Sequence, residues 1–311
     1  MLGSHLTRSL LDAGARVTVA SRTGQSHPWV GLVDADRVDS RLGDLRNADF
    51  ANACTRGQEV VFHCASRIAG LAYNQRHPGE MLTYNTILDL QVLEAAARRG
   101  VQLYFYPSGA LVYDQDVAVP VNESAPTSGE PVSACKGASF AKRASETAMQ
   151  LVAEESGMRT VVARFANIYG PGDEFDGERA HLIGNMIRAI AHDEPPEIWG
   201  DGTQLRSFLY VDDAVAAALK LVELGIDHGP VNVGGQTEST VKGIAQTLLE
   251  ISGKTLTPVY RSDGRPLGLR RKLLDNGKLR ALTAFDEMTS LRGGLETTYR
   301  WYVSTCGLAR I

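Results

Sequence analysis

Apolar and polar positions alternate between helix-like and strand-like segments through the first two-thirds of the chain. Leu6 to Ala13 carries apolar residues at helical spacing, and Gly14 stands where such a helix would end. Glu59 to Ala65 is a nearly continuous apolar run, typical of a strand buried on both faces of a parallel sheet. Further strands are predicted at Arg16–Ala20, Val101–Tyr106 and Arg159–Arg164, and further helices at Met81–Arg99 and Lys136–Ser156.

Repeated strand–helix–strand units predict an α/β fold in which a doubly wound parallel sheet carries helices on both faces. After Asn167–Gly172 the alternation loosens into longer loops, short strands and isolated helices at His181–His192 and Val241–Ser252. This change predicts two lobes. Residues 1–170 form the lobe with the large sheet, and residues 171–311 form a smaller one, from which some segments return to the first.

The composition fits an ordinary soluble globular protein, with 43% hydrophobic and 22% charged residues. A net charge of −4 and a pI near 6.0 argue against a nucleic-acid partner. Apolar runs are too short to cross a membrane, and the N-terminus lacks the apolar core of a signal peptide, so we expect a cytoplasmic protein. The cysteines form no CxxC pair, which predicts neither a disulfide framework nor a metal site.

Gly200 to Asp213 combines a Gly-Asp-Gly turn, a short strand and the start of a helix. Ser207 to Val211 is predicted as the strand, and Asp212 and Asp213 head an Ala-rich helix whose free amides they could cap. Arg206 follows the turn, and its guanidinium suits a phosphate. By itself the segment is equally compatible with an ordinary turn, strand and helix cap.

As a string, this segment closely resembles the GDGxxxRxFxYVDD signature of the extended short-chain dehydrogenases that act on nucleotide sugars, the NAD-dependent epimerase/dehydratase family. Arg164 to Pro171 matches the RxxNxYGP motif of that family. The resemblance spans Gly3 to Tyr302 and is closest to the branch of GDP-mannose 3,5-epimerase and GDP-fucose synthase. Shorter segments fit in order and spacing: Arg22, Gly43–Arg46, His63–Gly70, Asn85, Pro107–Tyr113, Val231–Gly234, Arg265–Asp275 and Ser290–Tyr302.

The start of the chain departs from the family pattern. Rossmann-like dinucleotide-binding folds begin with a strand and a glycine-rich turn whose amides hold the pyrophosphate. Gly3 fits the last glycine of that turn, while the first strand and the two earlier glycines have no counterpart. We expect an incomplete sequence or a start codon assigned too late, rather than a genuine short form, and binding of the cofactor is correspondingly in doubt.

The resemblance implies a set of ligand-binding residues and a partner. NAD or NADP is the implied cofactor, and Arg22 favours NADP. The implied cofactor-binding residues are Gly3, Arg22, Asp44, Leu45, Ala65 and Lys142, and the implied residues for a nucleotide-sugar substrate are Ser108, Asn167, Arg179, Arg206 and Arg271. Relatives commonly pair through two long helices, here Met81–Arg99 and Lys136–Ser156, which implies a homodimer.

The catalytic positions are where the resemblance fails. Family members use a Tyr and a Lys in a YxxxK helix, with a Ser or Thr four residues before the strand-end Tyr. Lys142 fits the Lys, but Ala138 occupies the Tyr position and Gly109 the Ser/Thr position. The Cys and Lys of the 3,5-epimerases are replaced by Leu111 and Arg179.

Two functions therefore remain open at this stage. The first is an NAD(P)-dependent epimerase or dehydratase, an isomerase-type enzyme acting on a GDP- or UDP-sugar. The second is a catalytically impaired or non-catalytic relative that binds a nucleotide sugar or a partner subunit. Cys135 is a poor substitute for the missing Tyr, because it would lie roughly 10 Å along the helix from Lys142.

Overall fold

Helices and strands alternate along the chain in the order that the sequence predicts. The computed structural model describes residues 1–22, 35–225, 229–262, 264, 268–286 and 288–308, so Arg265 of the family resemblance lies outside the described residues. The helices are α1 (Leu2–Asp12), α2 (Ala48–Thr55), α3 (Leu71–Arg76), α4 (Pro78–Arg98), α5 (Lys136–Ser156), α6 (Leu182–Ala191), α7 (Val211–Leu224), α8 (Val241–Ser252), α9 (Gly277–Thr283) and α10 (Leu291–Thr305). The strands are β1 (Thr18–Ser21), β2 (Asp39–Leu42), β3 (Val60–Phe62), β4 (Leu103–Gly109), β5 (Arg159–Phe165), β6 (Asn167–Tyr169), β7 (Glu197–Trp199), β8 (Leu205–Tyr210), β9 (Val231–Val233), β10 (Glu238–Thr240) and β11 (Val259–Arg261).

The main sheet has the order β3-β4-β5-β9, and all of its strands are parallel. Alternate side chains of β4 enter two different cores, because successive residues of a strand point to opposite faces. Leu103 and Phe105 pack with residues of α1, α7 and α9, whereas Tyr104 and Tyr106 pack with residues of α4 and α5. The sheet is therefore covered by helices on both faces, and the predicted Rossmann-like α/β fold is confirmed.

Strands β1 and β2 form a separate parallel pair, with Thr18 opposite Asp39. Among the described strands, β3 pairs only with β4, and residues of both β1 and β3 line one large cavity. The prediction that Glu59–Ala65 is buried on both faces holds in part: Val61 packs against one core and Phe62 against the other, but Val60 is 38% exposed. The expectation about the start of the chain stays a prediction.

The later part of the chain adds two small sheets and a helical core. Strands β10, β8 and β6 form one sheet, and β11 pairs with β7 in the other. Helices α6, α8 and α10 share an apolar core that includes Ile187, Ile244 and Leu295. This core is distinct from those on the main sheet, and the division into lobes at residues 170 and 171 stays a prediction.

The two aspartates at the start of α7 do not cap that helix, contrary to the sequence-based interpretation. Asp212 accepts hydrogen bonds from His5 (2.7 Å) and Arg8 (2.9 Å), and His5 also bonds the Pro171 carbonyl oxygen at 2.9 Å. Asp213 instead accepts from the amide and hydroxyl of Thr289. Both carboxylates are thus used to tie α7 to distant segments, with Asp212 joining it to α1.

The search for membrane spans over the described residues found no helix long and apolar enough to cross a bilayer.

Candidate cofactor and substrate site

A cavity of about 2460 Å³ opens where the parallel strands of the main sheet end. Part of this volume is the space between β1 and β3, which Val17 and Val61 line. Residues following β3, β4 and β5 line it, as expected for an open α/β sheet. The predicted site residues that line it are Gly3, Arg22, Asp44, Leu45, Ala65, Ser108, Gly109, Leu111, Ala138, Lys142, Asn167, Arg179 and Arg206.

Arg271 is the predicted site residue that the structure does not bring to this cavity. Its guanidinium forms a bidentate ion pair with the Glu238 carboxylate, with nitrogen–oxygen distances between 2.7 and 3.0 Å. The next residue, Lys272, does line the cavity. The role predicted for Arg271 stays a prediction, and Lys272 is a side chain of this segment that the structure brings to the cavity.

An arginine cluster surrounds the Tyr84 ring, and Arg22, Arg67 and Tyr84 line the cavity. The Cζ atoms of Arg22, Arg46 and Arg67 stand 5.6, 4.3 and 3.9 Å from the ring centroid. Guanidinium groups stack favourably on aromatic faces, which holds these three positive charges close together. Arg46 pairs with Asp44 and Arg67 with Glu80, which leaves the cluster one net positive charge for an anionic group such as a phosphate.

Asp44 and its neighbours form the turn that follows β2. The Asp44 carboxylate accepts hydrogen bonds from the amide of Arg46 (2.9 Å) and from its guanidinium (2.6 Å). These hydrogen bonds hold the pKa of Asp44 down to about 2. Leu45 packs against the core below α4, so the turn is anchored while the Asp44 carboxylate stays at the cavity wall.

The loop after β3 is held in place by Asn85 of α4. The Asn85 side-chain oxygen accepts from the Ser66 hydroxyl (3.1 Å) and from the Arg67 amide (2.8 Å), and its nitrogen donates to the Arg67 carbonyl (3.1 Å). Asn85 is 3% exposed. A buried amide that satisfies the loop backbone in this way fixes the path of Ala65 and Ser66 along the cavity.

Lys142 lies on α5 beside the end of β4. Its ammonium donates a hydrogen bond to the Pro107 carbonyl oxygen at 2.9 Å and stands 4.2 Å from the centroid of the Tyr106 ring. Burial lowers the pKa of Lys142, and the carboxylates of Asp89 and Glu146 offset part of that effect. These two contacts fix the side chain, and Lys142 is among the residues that line the cavity.

The Ser108 side chain is hydrogen-bonded to a buried ion pair. Its hydroxyl donates a short hydrogen bond to Glu146, and Glu146 also forms a bidentate pair with Arg164, whose closest nitrogen–oxygen distance is 2.6 Å. Tyr113, the strand-end tyrosine, donates to the Asn232 side-chain oxygen at 2.7 Å and so joins this region to β9. These contacts make the end of β4 rigid.

Ala138 and Gly109 both line the cavity, so the side chains expected for proton transfer are missing from its wall. A Cβ atom at Gly109 would lie 3.7 Å from the Phe165 carbonyl oxygen and 3.8 Å from Leu111, which are ordinary contact distances. The backbone there is extended, with φ of −157°. The cavity could therefore accept a side chain at 109 without strain.

The part of the cavity predicted to bind the sugar nucleotide carries two neighbouring cations. The guanidinium of Arg206 donates to the carbonyl oxygens of Leu205 (2.8 Å) and Leu269 (2.7 Å), which fixes its position. Burial lowers the pKa of Lys272; Cys135 raises it, and Arg206 lowers it further. Two cations held together in a cavity favour an anionic ligand.

Asn167 and Arg179 are exposed on the cavity wall. Asn167 begins β6, directly after β5, and Arg179 ends a single 3-10 turn at Gly177–Arg179. Asn167 thus lies at a strand end, where ligands of open α/β sheets bind. Among the described residues, no contact joins either side chain to the arginine cluster, so their roles stay predictions.

Sequence reasoning missed Asp89, Lys272 and Tyr84. Asp89 is a charged residue on the buried face of an amphipathic helix, a signal that periodicity could have given. Lys272 reaches the site through its proximity to Arg206 of β8. Tyr84 reaches it through contacts with the loops that carry the arginines. No local sequence pattern marks such contacts.

The fold and the cavity define a Rossmann-like α/β protein with a deep ligand site at the ends of its parallel strands. The model of the family described as "NAD dependent epimerase/dehydratase family" matches residues 1–234, three-quarters of the chain. The chain belongs to this family.

Similar proteins span nearly the whole chain. The dTDP-4-dehydro-6-deoxy-D-allose reductase of Streptomyces bikiniensis is 29% identical over 97% of this chain and 93% of its own length. GDP-mannose 3,5-epimerase 1 of Oryza sativa subsp. japonica is 29% identical over 96% of this chain and 78% of its own length. GDP-L-fucose synthase 1 of Arabidopsis thaliana is 28% identical over 97% of both chains. The expected likeness to that branch is confirmed.

Solved structures agree with this assignment. UDP-glucose 4-epimerase of Thermotoga maritima, determined with UDP-glucose, superposes with a TM-score of 0.87 at 26% identity, covering 98% of this chain and 96% of its own. MoeE5 in complex with UDP-glucuronic acid and NAD gives 0.83 at 27% identity, with the same coverage.

Proposed function

We propose that this protein is an NAD(P)-dependent epimerase or dehydratase that acts on a GDP- or UDP-sugar. The observation that carries the proposal is a single cavity lined by both the residues predicted for the cofactor and those predicted for the sugar nucleotide. Relatives that match nearly the whole of this chain are named for GDP-, dTDP- and UDP-sugars, which supports the substrate class.

The residues present fit a dinucleotide cofactor. Asp44 and Leu45 would lie along the adenosine, and Arg22, Arg46 and Arg67 would meet an anionic group on its ribose. A phosphate on the ribose distinguishes NADP from NAD, so this cluster favours NADP. Lys142 would contact the nicotinamide ribose from the other side of the cavity.

The sugar nucleotide would be held by Asn167, Arg206 and Lys272. Arg206 and Lys272 would meet the diphosphate, because two adjacent cations suit two adjacent phosphate groups. Asn167, at the exposed start of β6, would reach the diphosphate or the sugar. Arg179 would contact the sugar end as a permanent cation.

The bound nicotinamide would supply reversible hydride transfer with the sugar. This chain would provide the fixed charge of Lys142 and a rigid wall formed by Ser108, Glu146 and Arg164. Ala138 and Gly109 cannot exchange a proton, so we expect slow turnover from the chain as it stands. They are also the observation that favours the second candidate, a relative that binds a nucleotide sugar without turning it over.

Binding and product formation separate these two candidates. Titration calorimetry with NADPH, NADH, GDP-mannose and UDP-glucose should detect one reduced cofactor and one sugar nucleotide. Incubation with NADP⁺ and the bound sugar nucleotide should then give an epimerised or dehydrated sugar nucleotide, detected by proton NMR, if the protein is an active enzyme. Binding without product would identify the non-catalytic relative, and failure to bind either cofactor would contradict the proposed function altogether.

Selectivity for NADP can be tested at the arginine cluster. Arg22→Ala should weaken NADPH by roughly tenfold or more, the loss of one charged hydrogen bond, and leave NADH nearly unchanged. Arg98→Ala is the matched control, since Arg98 is exposed and pairs with Glu94 on the same helix as Tyr84. Equal losses for NADPH and NADH would show that Arg22 does not read the ribose phosphate.

A further inference from the structure

A buried carboxylate lies close to the core side of Lys142. Asp89, on the inner face of α4, is only 2% exposed. A carboxylate is rarely so deeply buried unless it is paired or bonded. Its position on a helix that packs along α5 brings it near the one lysine that the family resemblance assigns to the cofactor.

Three donors from three elements satisfy Asp89. His63, just after β3, donates from Nε2 at 2.8 Å; the Ser145 hydroxyl of α5 donates at 2.8 Å; and the Tyr106 hydroxyl of β4 donates in a short hydrogen bond. Burial alone would raise the pKa of Asp89, but the bond from His63 and the charge of Lys142 outweigh it and hold that pKa below its usual value. Asp89 is thus a buried anion.

Tyr106 connects this anion to Lys142. Its hydroxyl bonds Asp89, while the Lys142 ammonium stands 4.2 Å from its ring centroid. A phenol that donates to a carboxylate becomes richer in electrons, and its ring face then attracts a cation more strongly. The other groups facing Lys142 are Glu146 on its own helix and the Cys64 thiol after β3; Tyr104 also faces Asp89.

We propose that Asp89 is a positioning residue that keeps Lys142 protonated and seated over the Tyr106 ring, so that the cavity presents a fixed positive charge to the cofactor. The proposal rests on the proposed function only in assigning Lys142 to the cofactor. It adds a residue with no direct access to either ligand, acting through a tyrosine ring and the field of a buried charge.

The first test measures Lys142 itself, in protein free of cofactor. Competitive acetylation with trace acetic anhydride, followed by peptide mass spectrometry across a pH series, reports the fraction of neutral amine at Lys142. In Asp89→Asn that fraction should rise about tenfold at any pH below the titration, the change that one pKa unit produces. Asp89→Thr, also neutral and smaller, should give the same result if Asp89→Asn does not fold.

Matched variants separate charge from packing. Glu94→Gln removes an exposed carboxylate of the same helix, and Ser145→Ala removes one hydrogen bond to Asp89 but keeps the charge. Both should leave the Lys142 profile within about twofold of the unchanged protein, since neither removes the buried anion. A profile unchanged in the neutral Asp89 variants would overturn the proposal, and so would an equally large shift in Ser145→Ala.

A second readout follows the cofactor. The affinity for NADPH should decline on the alkaline side of its pH profile, and Asp89→Asn should move that decline to lower pH by about one unit. A merely structural role would weaken binding equally at every pH, whereas Asp89→Glu, which keeps the charge, should restore the profile. If the unchanged protein binds no NADPH, the proposed function fails, but the acetylation test still decides the role of Asp89.

Discussion

At the scale of single residues, Ala138 and Gly109 separate binding from chemistry. They lie on the same cavity wall as Lys142, which is held by Pro107 and Tyr106. The family resemblance makes these the positions of a proton relay, so the lysine that would support it is present while the group that would carry the proton is missing. The sequence motifs predict both positions, because they lie in segments whose spacing follows the family pattern.

Ala138→Tyr combined with Gly109→Ser should raise turnover of the bound sugar nucleotide by at least about a hundredfold, the lower range for a positioned acid–base group. The phenolic oxygen at 138 would accept the proton of the sugar hydroxyl while the hydride passes to the cofactor. A side chain at 109 meets only ordinary contacts with Phe165 and Leu111. Turnover is measured as the epimerised or dehydrated sugar nucleotide that appears in the proton NMR spectrum.

Ala138→Phe with Gly109→Ser is the control, because it adds the ring without the hydroxyl. Its turnover should stay at the level of the unchanged protein. No gain in the Tyr variant, with NADPH binding intact, would show that more than the proton relay is missing.

Lys272 and Arg271 give a second residue-scale prediction, since they are adjacent in sequence and differ in surroundings. Lys272→Met should weaken the sugar nucleotide about tenfold, because it removes one of two cations from the cavity. Arg271→Met should leave the affinity unchanged, since Arg271 pairs with Glu238 away from the cavity. Calorimetric titration with the preferred sugar nucleotide measures both, and the reverse order of effects would restore the role that the motif assigned to Arg271.

At the scale of elements, Asp212 joins α1 to α7 through His5 and Arg8. Asp212→Asn should lower the free energy of unfolding by about 1 kcal/mol, the worth of a partly exposed charged hydrogen bond. The hydrogen bond from His5 holds the folded pKa of Asp212 below the value of 3.8 for an unperturbed carboxyl. A carboxyl with a depressed folded pKa stabilises above 3.8 and loses that contribution as pH falls through the folded value.

The difference between Asp212→Asn and the unchanged protein should therefore be full near neutral pH and fade in acid. Urea unfolding at a series of pH values measures it, with Glu155→Gln on the exposed face of α5 as control. A difference that does not depend on pH would show that Asp212 acts through packing rather than through its charge.

The boundaries of the elements could largely be read from the sequence. The structure has α5 at Lys136–Ser156 and α8 at Val241–Ser252, as predicted, because a left-handed glycine ends each helix at Gly157 and Gly253. The burial of β3 could be predicted only in part, since an apolar run does not reveal what lies at its edges. For the same reason the roles of Asp212 and Asp213 were misread as caps: their partners lie far away in the chain.

At the scale of the whole molecule, the parallel sheet and its motifs could be predicted because the strand ends carry recognisable strings. The buried network around Asp89 could not, because its members come from four separate segments: His63, Asp89, Tyr106 and Ser145. Such networks depend on how helices pack over the sheet. They are the part of a site that a linear pattern records least well.

The exposed apolar residues of α4 and α5 argue for a homodimer. Ile87 is 53% exposed and Leu90 38% on α4, and Leu151 is 53% exposed on α5, although these two helices pack closely against each other. Exposed apolar side chains on paired long helices are typical of an interface between copies. Light scattering should therefore give twice the mass of one chain, and Ile87→Arg with Leu151→Arg should give the mass of one chain with unchanged circular dichroism. Leu42→Arg is the control, since Leu42 is 63% exposed and belongs to β2 rather than to either helix, and its variant should stay dimeric. A monomeric unchanged protein, or dissociation by Leu42→Arg as well, would contradict pairing through α4 and α5.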